Sequence, residues 1–261
     1  MRALVVVSSE NAASQNIKEN LLGLEKFRQA GAGFWSAAAF DMAEYPGSIV
    51  EIVPTHRAGY YVFASTHRSA SRTPGFSVHT PGNWGDADLG GKPRTLNFSM
   101  PSKIKLIARK MKELSVASLG WQVSVEVDHH GPTLDAPVLF AEIGSTEAEW
   151  SDRNAGEIAA KAMLHAMKSE ELFPSCVGFG GSHYSPKFTP IILGRETALG
   201  HIISGYSLER FGADAEMVGQ AMAKNAEKID SALLDWKGIK GKTRDALIAA
   251  LDSLGVKWEK A

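Results

Sequence analysis

The sequence predicts an α/β fold with a mixed, largely parallel central sheet flanked by helices. Three observations predict it. Short β-type apolar runs alternate with longer segments of helical period, the pattern of parallel strands joined by crossover helices. Extra β-type runs crowd residues 49–98 with no helix between them, so the sheet is expected to be mixed. The 261 residues are 44% hydrophobic and 22% charged, ordinary for a folded chain, and at this length one large core is the simplest reading: a single domain over 1–261.

The apolar run Leu4-Val5-Val6-Val7 is too short for a signal-peptide core and reads as a buried first strand. Ser14 is expected to cap a helix whose Ile17, Leu21, Leu24 and Phe27 share one face. Strands follow at Ile49–Val53, Gly59–Ala64 and Phe76–Thr80, each bounded by turn residues. Pro101-Ser102 opens a helix carrying Ile104, Ile107, Ala108, Met111 and Leu114. Gln122–Val127 and Pro137–Ile143 read as strands, and Thr146 or Ser151 opens a helix carrying Ile158 and Ala162. Cys176–Phe179 and Ile191–Leu193 read as strands, and Leu199–Ile203 fits either strand or helix. Helices are expected over Ala213–Ile229 and over Thr243–Leu254, the latter closed by Gly255.

Charge narrows the function. With 28 basic and 29 acidic residues the chain is not a generally basic nucleic-acid binder, so a polyanion would need a local patch. One stretch qualifies: Lys92, Arg94, Lys103, Lys105, Arg109, Lys110 and Lys112 occur with no acid among residues 89–112. It reads as a phosphate contact or as a solvated helix face. The lone Cys176 excludes internal disulfides and four-thiolate zinc sites, fits a reducing compartment, and sits in an apolar run that buries it.

Ligands of parallel sheets sit beyond the strand ends, and there the sequence places histidines: His67, His79, His129, His130 and His183. Imidazole with carboxylate is the donor set of a catalytic zinc. Glu142 lies inside an apolar strand, where an unpaired carboxylate costs several kcal/mol, so it needs a metal, a histidinium or an ordinary salt bridge. His129 and His130 are adjacent, so a regular strand would turn only one toward the site unless the chain turns there. The glycines of Gly178–Tyr184 could form an anion-binding nest, although neither a P-loop nor the serine elbow Gly-x-Ser-x-Gly is present. Asn83, in the loop after His79, is a candidate for orienting a substrate.

The ordered blocks Val6–Ser9 with Ala13–Ile17, His67-Arg68, Val78–Asn83, His129–Thr133, Glu142–Trp150 and Gly178–Lys187 resemble the archaeal and plant-type D-aminoacyl-tRNA deacylases over nearly the whole chain, least in the C-terminal helices. The resemblance implies a phosphorylase/hydrolase-like α/β fold and a cytoplasmic enzyme that hydrolyses the ester of D-aminoacyl-tRNA with zinc-activated water. It implies a catalytic and metal site among His129, His130, Glu142 and His183, with His79 and His67 next, His201 a weaker candidate and Asp128 behind them. It further implies an oxyanion site at Gly180, Gly181 and Ser182, and contact between the tRNA acceptor end and Lys103, Lys105, Arg109 and Lys110. A monomer without membrane association is expected. Two rivals remain on the residues alone: a phosphate-dependent, nucleoside phosphorylase-like enzyme and a non-catalytic tRNA-binding module.

Overall fold

A computed structural model describes residues 1–261. Strand β1 (Ala3–Ser8) is buried throughout, as its apolar run requires. Helix α1 (Ala12–Leu24) is capped by Asn11, whose side chain accepts the Ser14 N–H. Ser14 itself is buried within the helix; its hydroxyl accepts the Ser8 N–H and donates to the Ala64 carbonyl, tying α1 to the sheet. A meander follows that short exposed runs had concealed: β2 (Arg28–Gly31), β3 (Phe34–Ser36) and β4 (Phe40–Tyr45).

The strand expected at Ile49–Val53 is absent. That segment is turn and loop, and it drops Ile49 and Ile52 onto the sheet beside Tyr61, Phe63 and Phe140. Strand β5 (Tyr60–Arg68) runs past Ala64 because Ser65, Thr66 and His67 keep pairing with a neighbour. Next come β6 (Gly75–His79), β7 (Gly82–Asn83), β8 (Thr95–Leu96), α2 (Pro101–Ser118), β9 (Gln122–Val125) and β10 (Val138–Ser145). Thr146 does open a helix, the single turn α3 (Glu147–Trp150), and Asp152 rather than Ser151 caps α4 (Arg153–Lys168).

After β11 (Ser175–Phe179) the chain forms α5 (Phe188–Gly194), so Ile191–Leu193 is helical rather than extended. The ambiguous run resolves as β12 (Ala198–Ile203). The long helix expected from Ala213 ends early: α6 (Gly205–Phe211) and α7 (Ala215–Ala223) precede β13 (Ile229–Leu234). Helix α8 (Gly241–Ser253) ends before Gly255, which takes positive φ, and β14 (Trp258–Lys260) closes the chain.

The strands form a mixed eight-stranded sheet, ordered β2-β3-β4-β1-β5-β10-β6-β9, a second, four-stranded parallel sheet, β12-β11-β13-β14, and an antiparallel pair, β7-β8. In the larger sheet β6 runs antiparallel to β10, while β4, β1, β5 and β10 are mutually parallel. Helices α1, α2 and α4 pack on one face, burying Val5, Val62, Val78, Val125 and Ala141. The opposite face has a small apolar cluster built from strand and loop residues alone. Strand alternation therefore leaves part of that second face free for polar side chains. No helix is long and apolar enough to cross a membrane.

Candidate active site

Register across β5, β10, β6 and β9 builds the site. Ser65, Glu142, Ser77 and Ser124 stand opposite one another in one row, and His67, Gly144, Gly75 and Gln122 in the next. On the other side Phe63, Phe140 and His79 share a row, extended by Glu126, whose N–H reaches the Val78 carbonyl at 3.1 Å. With a side-chain period of two, all of these lie on the face not covered by helices. The site thus combines a patch on the sheet's face, which carries His67 and His79, with the loops beyond β9 and β11, which bring His129, His130 and His183. Gly144 makes it fit: a Cβ there would stand 2.8 Å from His67 Cδ2, so only glycine leaves room for that ring.

Glu126 is the centre of the patch. It is 1% exposed, and neither carboxylate oxygen has a conventional hydrogen bond. His67 Nδ1 lies 3.0 Å from Oε1, and His183 Nε2 and His129 Nε2 lie 3.1 and 3.7 Å from Oε2. Glu142 accepts from Ser77 Oγ at 3.1 Å and faces His67 Nδ1 at 3.6 Å and His79 Nε2 at 3.8 Å.

The other imidazoles are held in one tautomer. Nδ1 of His79, His129 and His130 contacts the carbonyls of Thr80, Val127 and Gly131 at 3.2, 2.8 and 2.6 Å. Each Nδ1 must donate, which leaves a lone pair on each Nε2. One ring nitrogen from each of the three lies within 4.8 Å of the others, and His79 Nε2 is buried with no partner. This is the arrangement that orients metal-bound histidine, with the far nitrogen fixed by a backbone carbonyl. His130 has φ +50°; that turn lets both adjacent histidines face the site, their ring centroids 4.4 Å apart.

Burial, aided by neighbouring His130, pushes His79 down to about 3. Burial also holds His129 well below, and His130 below, the ordinary imidazole value. For His67 burial acts in the same direction, but contact with Glu142 and the charge of Glu126 outweigh it and raise the pKa. The sign of the pH dependence follows. Three rings that resist protonation when folded accept protons near 6.5 once unfolded, so their contribution is present above that value and is lost as pH falls. His67 opposes them singly. The metal-free protein should therefore lose stability from pH 6.5 to 5, by about 1.4 kcal/mol per pH unit for each net group, read as a falling urea midpoint. A midpoint that rises over this range would contradict the assignment.

Of the expected ligands, the structure brings His129 and His130 together with His79, places His183 with His67 and Glu126, and groups Glu142 with His79 and Glu126. Sequence reasoning misses Glu126, although Val123, Val125 and Val127 alternate there with Gln122, Ser124 and Glu126, the mark of a half-buried strand carrying a carboxylate. His201 stands outside the cluster. It is buried, with Nδ1 2.5 Å from Asp128 Oδ2 and Nε2 2.8 Å from the Lys224 carbonyl, so both ring nitrogens are occupied. Asp128 also accepts the Ile202 N–H at 2.9 Å, anchoring the His129-His130 turn to the second sheet.

The oxyanion expectation fails at two of its three residues. The Gly180 and Gly181 amides donate to the carbonyls of Ile203 and Gly238, at 2.7 and 3.2 Å, and are spent. Gly180 takes φ +106°, and a Cβ would stand 2.7 Å from Ile239 Cγ1; the glycines serve to aim the loop that carries Ser182 and His183. Asn83 likewise ties its own loop, donating to the Gly90 and Lys92 carbonyls. Lys105 is fully buried, Lys103 donates to the Ala166 and Ser169 carbonyls, Arg109 to those of Leu193 and Arg195, and Lys110 pairs with Glu113. Their partners are mainly helix-end carbonyls, which local counting of acids does not register. Cys176 is buried, and its thiol is pushed up to about 12 by burial.

A cavity of about 210 Å³ opens beside His67 and Glu126, lined by Ser69, Ser71, Ser124 and Tyr184 among others. Tyr184 Oη meets His67 Nε2 at 3.1 Å at its rim. A larger groove of about 850 Å³ lies at the other end of the strands, near Met1, Tyr60 and Ser175, and holds none of the histidines.

A family model described as D-aminoacyl-tRNA deacylase matches residues 55–259. The D-aminoacyl-tRNA deacylase of Pyrococcus furiosus is 33% identical over 272 residues, spanning 98% of this chain and 99% of the relative. That of Thermococcus kodakarensis is 35% identical, with 98% of each chain covered, and that of Methanosarcina acetivorans 37% identical, covering 97% and 90%. A crystal structure described as a conserved protein of unknown function superposes with a TM-score of 0.92 at 32% identity, over 99% of this chain and 95% of that one.

Proposed function

Because this chain belongs to the D-aminoacyl-tRNA deacylase family, we propose that it hydrolyses the ester linking a D-amino acid to the terminal adenosine of tRNA, in the cytoplasm, with zinc as cofactor. The observation that carries the zinc assignment is the convergence of His79, His129 and His130, which bring one ring nitrogen each within 4.8 Å of the others and whose Nδ1 atoms are each fixed by a backbone carbonyl. Zinc bound there supplies Lewis acidity and lowers the pKa of water beside it to about 7.

The chain's own groups do the rest. Glu126, buried between His67 and His183, takes the proton of the attacking water. His67, whose pKa is raised, holds a proton for the ribose oxygen that leaves. Glu142 keeps His67 in place, itself held by Ser77. His67, Glu126 and His183 also form a three-donor group of their own, sharing no residue with the first. A second ion there would make Glu126 a ligand instead of a base.

Dialysis against a chelator should abolish release of D-tyrosine from D-Tyr-tRNA, and added zinc should restore it, with L-Tyr-tRNA left intact and no requirement for phosphate. Elemental analysis of the restored protein distinguishes one ion per chain from two. Full activity in protein free of metal would end the zinc assignment; a phosphate requirement would favour the phosphorylase rival, and tRNA binding without release the binding-module rival.

A further inference from the structure

Beyond the serine-lined cavity lies a second groove of about 410 Å³, lined by Arg68, Arg72, Thr146, Trp150 and Glu147, and sharing Ser69 and Ser145 with the first. The two adjoin, so one extended ligand can occupy both. Arg68 follows His67 at the end of β5. Its guanidinium lies 4.5 Å from the centroid of the Trp150 ring, and the indole N–H donates to the His67 carbonyl at 3.1 Å. The arginine is therefore positioned by the same strand end that positions His67.

Arg68 and Arg72 are exposed, and neither side chain is in an ion pair, whereas Arg94, Arg109 and Arg210 each are. Two guanidinium groups outside any ion pair share the groove with one carboxylate, Glu147. A planar guanidinium matches the paired oxygens of a phosphate, and one already stacked on an aromatic ring loses less freedom on pairing.

We propose that this groove holds the phosphodiester next to the reacting nucleotide, with Arg68 and Arg72 on its oxygens, so that the acceptor strand leaves the site across Trp150 instead of along the basic stretch of residues 89–112. The inference rests on the deacylase reading. Substrate then approaches with its ester over the histidines and its backbone on the arginines.

The test compares the double variant Arg68→Gln, Arg72→Gln with the parent on two substrates: D-Tyr-tRNA and the 3′-O-D-tyrosyl ester of adenosine, which has no phosphate. kcat/KM for the tRNA should fall at least about tenfold, and the dependence of log kcat/KM on log salt should flatten by about 0.7 for each phosphate that is no longer neutralised. Hydrolysis of the small ester should stay within about twofold, and Arg68→Lys with Arg72→Lys should regain the salt dependence by restoring charge. Equal losses on both substrates would mark the arginines as structural and overturn the proposal, as would an unchanged rate on tRNA. Failure of the parent protein to hydrolyse either ester would instead overturn the deacylase reading itself.

Discussion

Glu126→Gln is expected to lower kcat for D-aminoacyl-tRNA by about a thousandfold, the contribution of a well-placed general base. The substitution preserves shape and removes only the charge and the proton-accepting oxygen. His67 and His183, 3.0 and 3.1 Å from the carboxylate, lose the anion that both face, so the proton of the attacking water has no acceptor at the centre of the patch. Single-turnover kinetics report the step, and circular dichroism with a urea melt verifies the fold. Metal content decides the role: unchanged zinc with abolished activity identifies the base, whereas a missing ion identifies a ligand. A variant retaining a tenth or more of the parent's rate would remove Glu126 from the chemistry.

The largest effect on stability is expected from Lys105→Met. Lys105 is fully buried on α2, and its ammonium donates to the carbonyls of Ile192 at 2.6 Å, of Thr197 at 2.9 Å and of Arg195. Its Nζ lies 5.2 Å from the centroid of Phe173. Burial pushes it down to about 8, which still leaves it charged at neutral pH. Methionine keeps the volume and leaves the Ile192 and Thr197 carbonyls without a donor, that of Arg195 retaining Arg109, and orphaned buried polar groups cost about 1 to 3 kcal/mol each before relaxation. A loss of about 3 kcal/mol in urea-induced unfolding is the expected outcome, with the salt dependence of deacylation by the remaining folded enzyme unaltered. A stable variant with weakened, less salt-sensitive tRNA hydrolysis would return Lys105 to the role that its sequence neighbourhood implies.

These two residues illustrate what can and cannot be read locally. Glu142 is legible because it interrupts the apolar run Val138–Ile143, and burial of a bare carboxylate demands a partner. Glu126 carries the same signal in weaker form, diluted by Ser124 and Gln122, and is easily passed over. Lys105 is misread because its partners are main-chain carbonyls about 90 residues away, and carbonyls leave no trace in composition. The Gly180 and Gly181 amides mislead for the complementary reason: glycine announces an unusual backbone, but which acceptor an N–H meets depends on β12 and the loop after β13.

By itself, the sequence determined the central strands, the helices of strong period, the histidine set and, through ordered blocks, the family. Each of these rests on short-range pattern: alternation, helical spacing and residue type at a given place along the chain. Only tertiary structure decided that β10 lies between β5 and β6, that their polar positions fall in register on one sheet face, and that Glu126 and His67 stand at the middle of the patch. The physical reason is that strand order and register are set by hydrogen bonds and packing between segments distant in the chain, whose free energy belongs to the assembled sheet and to no stretch of residues within it.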